Sequence, residues 1–351
     1  MPRNGKLVRI TLALVAAAVL GAFAVASAGA SGKRSTGTLS GAGSSLIAPA
    51  VAVWAQLYKP DNIQYNPVGS GGGITQISNR QVDFGASDAP LTKSQGAGCN
   101  GCDQIPWALT ATSPVVNIPG VGPHQLKLTG TVLADIYLGN ITNWNDPAIK
   151  KINSGLNLPD KKITVVHRSD GSGDTYVFTD YLSKVNHTWK TKVGAATTVS
   201  WPAGVGGNKN AGVAALVQST PGSIGYVSDF YAIQNHIAKA RVKNAAGAYV
   251  LPKISTIEAA AQLVKGSKIP ANNKISLTNP PASKKYKNAW PMSTFTYVLI
   301  PTQTPKAAEL KAFVKFALSA NAQNAIKKLI FAPMPSVVLK AANKTLATIH
   351  S

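Results

Sequence analysis

The chain of 351 residues carries 35 Lys and Arg against 13 Asp and Glu, a formal charge of +22, yet only 14% of it is charged and 45% is hydrophobic. That apolar share is enough to build a core, so wholesale disorder is excluded, and the length suits two domains or one large one. The basic excess arises from scarce acids, Glu258 and Glu309 being the only glutamates, and it points to anionic partners such as nucleic acid, a membrane surface or a small anion.

Arg3, Lys6 and Arg9 precede an apolar run over residues 10–25, followed by Ala26-Ser27-Ala28-Gly29-Ala30. This is the pattern of a secretory signal over residues 1–30. The run falls short of the ~20 apolar residues that span a bilayer. Removing it takes away those three bases and no acid, lowering the charge of +22 to +19. No cysteine lies near the cleavage site to accept a lipid, and the mature chain is expected to be exported, to the periplasm or the cell surface. After a flexible stretch over 31–38, Val51, Trp54 and Tyr58 fall on one helical face behind Pro49. A strand over 63–68, a Gly-rich turn, a short helix over 74–79 and a strand over 82–86 follow. Cys99 and Cys102, the only cysteines, sit in a loop-like context and are expected to close a local disulfide in an exported protein. A redox pair or a zinc site lacks the flanking residues it needs.

Further along, a strand over 163–167 leads into Asp170-Gly171-Ser172-Gly173. Phe178, Tyr181, Leu182 and Val185 then mark a helix, and Thr304-Pro305 opens another that carries Leu310, Phe313, Val314, Ala317 and Leu318. Strands alternating with helices predict an α/β class. Pro-rich stretches at 114–123 and 280–291 flank a central block, as expected of a chain that leaves one lobe, builds a second and returns.

Three segments share one design: Gly43-Ser44-Ser45-Leu46, Gly69-Ser70-Gly71-Gly72 and Gly171-Ser172-Gly173-Asp174 each open a helix. First-turn N–H groups lack intrahelical acceptors and sit at the positive end of the dipole. Glycine lets the backbone approach a ligand, and serine adds a hydroxyl. Together with Arg168, whose planar fork suits a tetrahedral oxyanion, they form a candidate anion site. Asp170 is placed to pin that guanidinium. Asp88 either closes a turn or accepts a hydrogen bond from an anion that carries a proton, which fully ionised sulfate does not. A P-loop, a Gly-x-Ser-x-Gly elbow and metal-ligand spacing among the histidines are not found in the sequence, so no cofactor or metal is expected.

The segments GAGSSLIAP (41–49), GSGGGITQI (69–77), VDFGASDAPL (82–91) and HRSDGSGDT (167–175) resemble the substrate-binding protein of the ABC-type phosphate transporter. So do VNIPG (116–120), IYLGNITNWNDPAI (136–149), GSIGYV (222–227) and AWPMST (289–294), and the resemblance runs in order along the whole mature chain. It implies a two-lobed α/β periplasmic-binding-protein fold, type II-like, with two crossings between the lobes and phosphate in the cleft. Lobe I is expected over 36–114 and 286–351, and lobe II over 115–285. It further implies a monomer that binds inorganic phosphate and delivers it to membrane permease subunits, with no catalysis and no nucleic acid. Ser45 and Ser70 match hydroxyl ligands, Leu46 a backbone N–H ligand, and Asp88 the acceptor of the phosphate proton. Arg168 matches the arginine ligand, Asp170 its orienting partner, and Ser172 and Gly173 further donors. Asp174 stands where many relatives have a threonine, Ser45-Leu46 replaces Thr-Phe, and the Cys99–Cys102 pair lies outside the family pattern. The other classes weighed are a secreted polyanion-binding protein and a phosphoesterase. Lys150, Lys151, Lys161, Lys162, Lys284, Lys285 and Lys287 are dispersed over solvent-type segments, which suits a solvated basic surface better than a polyanion track.

Overall fold

The computed structural model describes residues 37–351; the expected export signal over 1–30 lies outside them. Twelve strands are present among the described residues: β1 (Thr38–Gly43), β2 (Asn62–Asn66), β3 (Phe84–Ser87), β4 (Cys102–Asn117), β5 (Lys127–Leu128), β6 (Thr164–Arg168), β7 (Val205–Gly207), β8 (Ser223–Ser228), β9 (Ala238–Lys239), β10 (Arg241–Lys243), β11 (Tyr249–Val250) and β12 (Ser293–Pro301). The main sheet runs β2-β1-β3-β12-β4-β8-β6-β7, with β9 also on β4, and a small sheet runs β11-β10-β5. β1 pairs in parallel with β2 and β3, and β6 pairs in parallel with β7 and β8. Each end of the sheet is therefore a parallel α/β unit, and the antiparallel strands β12 and β4 join them. The result is the two-lobed periplasmic-binding-protein architecture.

One strand belongs to both lobes. β4 pairs with β12 as far as Ala111 and with β8 from Thr112 onward. Its register shifts opposite Thr296 and Tyr297, where Trp107 is the extra residue of a bulge. The stretch at 114–123 reads as a linker because of its prolines, but β4 continues through Pro114 to Asn117. Pro114 stands opposite Tyr226, and its carbonyl accepts from Ala240 N–H at 3.1 Å. The returning chain meets the same point: Thr112 N–H donates to Met292 O (3.1 Å), and Trp290 Nε1 donates to Thr112 O (3.0 Å).

Each lobe has an aromatic core. Trp54, Phe84, Trp107 and Phe313 are fully buried together, with Trp54 and Trp107 ring centroids 5.2 Å apart. In the other lobe Phe178 stacks on Tyr226 at 4.5 Å and meets Tyr137 at 4.7 Å. Burial of each such side chain stabilises by about 1.5–3 kcal/mol. The helical periodicities expected from the sequence fall on Ala48–Leu57, Gly173–Val185 and Ala307–Ala317. Tyr58 follows the first of these as its C-cap, and the last starts just beyond the Thr304-Pro305 cue.

The second helix starts earlier than the sequence suggests, at Ser70 rather than 74, and runs Ser70–Ser78. Its glycines are weak helix formers, but packing overrides propensity here. Gly69 takes φ 88° and turns the chain, and Gly73 lies flat against the end of β1. A Cβ on Gly73 would stand 2.4 Å from Gly43 Cα and 2.7 Å from Ala42 O, which are backbone atoms with nowhere to retreat. Gly73→Ala is therefore expected to destabilise by about 1–3 kcal/mol through overpacking. Urea denaturation measures this, and an unchanged midpoint would contradict the close approach.

Candidate functional site

The parallel strands converge on a cleft with their carboxyl ends, as open α/β sheets do at their ligand sites. β1 ends before Ser44, Ser45 and Leu46, and β3 before Asp88. The Ser70–Ser78 helix presents Ser70 beside them. From the other lobe, β6 ends in Arg168 and the Gly173–Val185 helix begins behind Ser172. Ser45, Leu46, Ser70, Asp88, Arg168, Ser172 and Asp174 are all buried. The two loops touch: Gly71 N–H donates to Gly171 O at 2.9 Å, and a Cβ on Gly173 would fall 2.3 Å from Asp88 Oδ2. Only glycine fits at that contact between lobes.

Arg168 is the one cation at this point. Its Nε and NH2 donate to the two oxygens of Asp170 at 2.7 and 2.5 Å, and its NH1 lies 3.3 Å from Asp174 Oδ2. Burial opposes charge on Asp170, but the two-pronged guanidinium contact and Lys209 N–H hold its carboxyl below the usual range. The Arg168 backbone is fixed as well, its N–H donating to Tyr226 OH at 3.1 Å. His167, next along β6, stacks on Trp201 at 4.8 Å.

Asp174 is more enclosed than its place in the helix-opening motif suggests. Thr112 Oγ1 donates to its Oδ1 at 2.6 Å, and Asn210 Nδ2 donates to its Oδ2 at 2.8 Å beside the Arg168 contact. Burial raises its pKa, while these three donors favour the charged form. Asp88 is treated differently. Ser44 Oγ donates to its Oδ2 at 2.5 Å and Ser70 Oγ lies 3.5 Å away, but Oδ1 is buried with no hydrogen-bond partner. Burial pushes its pKa up to about 7, and the Asp174 charge adds to the effect against the pull of the Ser44 and Thr296 hydroxyls and of Arg168. Of these two buried carboxylates, Asp88 is the one built to hold a proton or to receive a hydrogen bond.

All the residues expected at the site meet in this cleft, but several of their groups are engaged within the protein. Ser45 Oγ accepts from Asn210, Ser172 Oγ caps Thr175 N–H, and Leu46 N–H donates to Ser44 Oγ at 3.0 Å. Three contributors lie outside the sequence-based set. Ser44 stands beside a named residue and carries the same hydroxyl signal as Ser45. Thr112 and Asn210 stand 62 and 36 residues from Asp174, and no local motif marks them. Away from the cleft, Cys99 and Cys102 are disulfide-bonded with Cα atoms 5.4 Å apart. Cys99 caps the Lys93–Gly98 helix, so the segment expected as loop is partly helical.

Residues 28–321 match the PBP superfamily domain. The chain is 44% identical over 308 residues to the phosphate-binding protein PstS of Xylella fastidiosa strain Temecula1, covering 86% of this chain and 83% of that protein. It is 42% identical over 308 residues to the PstS of Pasteurella multocida, covering 86% and 88%. Among solved structures, a phosphate-binding protein from Stenotrophomonas maltophilia superposes with a TM-score of 0.67 at 18% identity, covering 88% of this chain and 93% of that one. A helix-end cleft between two α/β lobes, one buried arginine within it and this extent of identity lead to one conclusion: the chain belongs to the PstS family of phosphate-binding proteins, within the periplasmic-binding-protein superfamily.

Proposed function

We propose that the chain binds inorganic phosphate between its lobes and delivers it to the permease of an ABC-type importer, as a monomer that catalyses no reaction. The observation that carries this reading is Asp88 Oδ1, a buried carboxylate oxygen that makes no well-formed hydrogen bond, with only the Thr296 hydroxyl nearby to favour its charge, in a cleft otherwise rich in donors. An acceptor in an anion site suits an anion that brings its own proton. Hydrogenphosphate and dihydrogenphosphate do so; sulfate does not, and would leave the acceptor unmet against a like charge. Ser45, Ser70 and Ser172 supply hydroxyls, Leu46, Gly173 and Asp174 backbone N–H groups, and Arg168 the guanidinium held by Asp170. The lobes are assigned as 36–114 with 286–351, and 115–285. They close about the two crossings, near 115–119 and 284–291, and β4 changes partner strand just before the first of them, at Thr112. The signal over 1–30 exports the chain to the periplasm or the cell surface. A polyanion and a phosphoester are disfavoured because the residues of the site are buried.

Charge determines which form of phosphate enters. Arg168 faces Asp88, Asp170 and Asp174, so the cleft is anionic when all three are ionised, and each further negative charge is disfavoured in so buried a place. Phosphate affinity is therefore expected to fall between pH 5 and pH 8, and Asp174→Thr to flatten that fall; identical profiles for the two proteins would contradict the role given to Asp174. Arg168→Ala should weaken phosphate binding by roughly tenfold or more, the scale of one lost charged hydrogen bond. Calorimetric titration measures both, and unchanged affinity in the arginine variant would remove that residue from the site.

The raised pKa of Asp88 has a consequence for the phosphate-free protein. A carboxyl that holds its proton more tightly when folded adds stability below its unfolded pKa, near 3.8, and loses it as pH climbs through about 7. Asp88→Asn cannot ionise. In thermal melts without phosphate, this variant should gain on wild type by on the order of 2 kcal/mol between pH 5 and pH 8. A pH-independent difference would show that Asp88 titrates normally.

A further inference from the structure

Asn210 opens the Lys209–Ser219 helix, is fully buried, and uses its amide in both directions. Its Oδ1 accepts from Ser228 N–H at 2.8 Å, and that contact fixes which end of the amide is nitrogen. Its Nδ2 then donates one hydrogen to Asp174 Oδ2 at 2.8 Å and the other to Ser45 Oγ at 3.0 Å. Asp174 and Ser228 belong to the same lobe as Asn210, whereas Ser45 belongs to the opposite one. The Ser45 bond is therefore a side-chain hydrogen bond between the lobes, and it can exist only when they are closed.

A hydroxyl that accepts from an amide still has a proton of its own to give. We propose that Asn210 is the positioning residue that couples closure to binding: by occupying a lone pair of Ser45 in the closed form, it directs the Ser45 proton to the anion and holds the lobes together around it. The inference rests on the phosphate reading above. The bond forms after the ligand has entered, so it acts on release and leaves capture almost unaffected. Its second hydrogen on Asp174 keeps the amide in register with the Arg168–Asp174 pair, so the latch and the charged floor of the site move as one unit.

The test is stopped-flow measurement of phosphate association and dissociation for the full mature chain carrying Asn210→Ala, Ser45→Ala and both. Asn210→Ala is expected to raise the dissociation rate about tenfold while changing the association rate less than about threefold. In the Ser45→Ala background the same substitution should add little, because its target is already gone. A residue that merely supported the fold would act equally in both backgrounds. Should Asn210→Ala fail to fold, Asn210→Ser, which is too short to span both acceptors, carries the same expectation. Wild-type dissociation rates in the Asn210 variants, or effects that add fully with Ser45→Ala, would overturn the inference. Wild-type protein that binds no phosphate would instead count against the function on which the inference rests.

Discussion

A single guanidinium buried among three carboxylates dictates how this molecule can hold an anion. Arg168 is held at 2.5–2.7 Å by Asp170 and at 3.3 Å by Asp174, and Asp88 faces the same space from the other lobe. Such a cluster has little positive charge to offer. Its contribution is direction: a fixed fork, fixed acceptors, and N–H groups at helix ends that need no rearrangement to be useful. The two-lobed fold follows from that need. Groups from β1, β3 and β6 can surround a small anion only if the two parallel ends of the sheet aim their carboxyl ends at one point, and water leaves only if the lobes close. The glycines at 69, 71, 171 and 173 are the places where closure leaves no room for a side chain.

The strand shared by the two lobes also reaches the site. Thr112 is the residue at which β4 passes from one partner strand to the next, and its hydroxyl donates to Asp174. The returning chain is tied at the same residue through Met292 and Trp290.

Much of this was legible in the sequence. The Val51–Trp54 spacing and the Phe178–Val185 face marked helices because burial imposes a period of 3.6. The Gly-Ser loops marked the cleft because helix N-termini and close backbone approach call for those residues. Other parts were hidden for physical reasons. Pro114 reads as a breaker, and only the pairing with β8 shows that its missing N–H costs the ladder little. Gly71–Gly73 reads as a turn, and only contact with β1 keeps it helical. Thr112 and Asn210 act through contacts 62 and 36 residues away, which local spacing does not encode. The charge of +22 pointed towards anions, yet among the described residues Arg168 is the buried base placed at the cleft.

In the proposed site the buried oxygen of Asp88 receives a proton borne by the anion, so that the cleft takes phosphate and refuses an isostere without one. Calorimetric titration of the mature chain with phosphate and then with sulfate at neutral pH tests it most directly. Saturating 1:1 binding of phosphate is expected, with no heat from sulfate and no displacement of phosphate by it. Sulfate that binds with comparable affinity, or competes on equal terms, would contradict it.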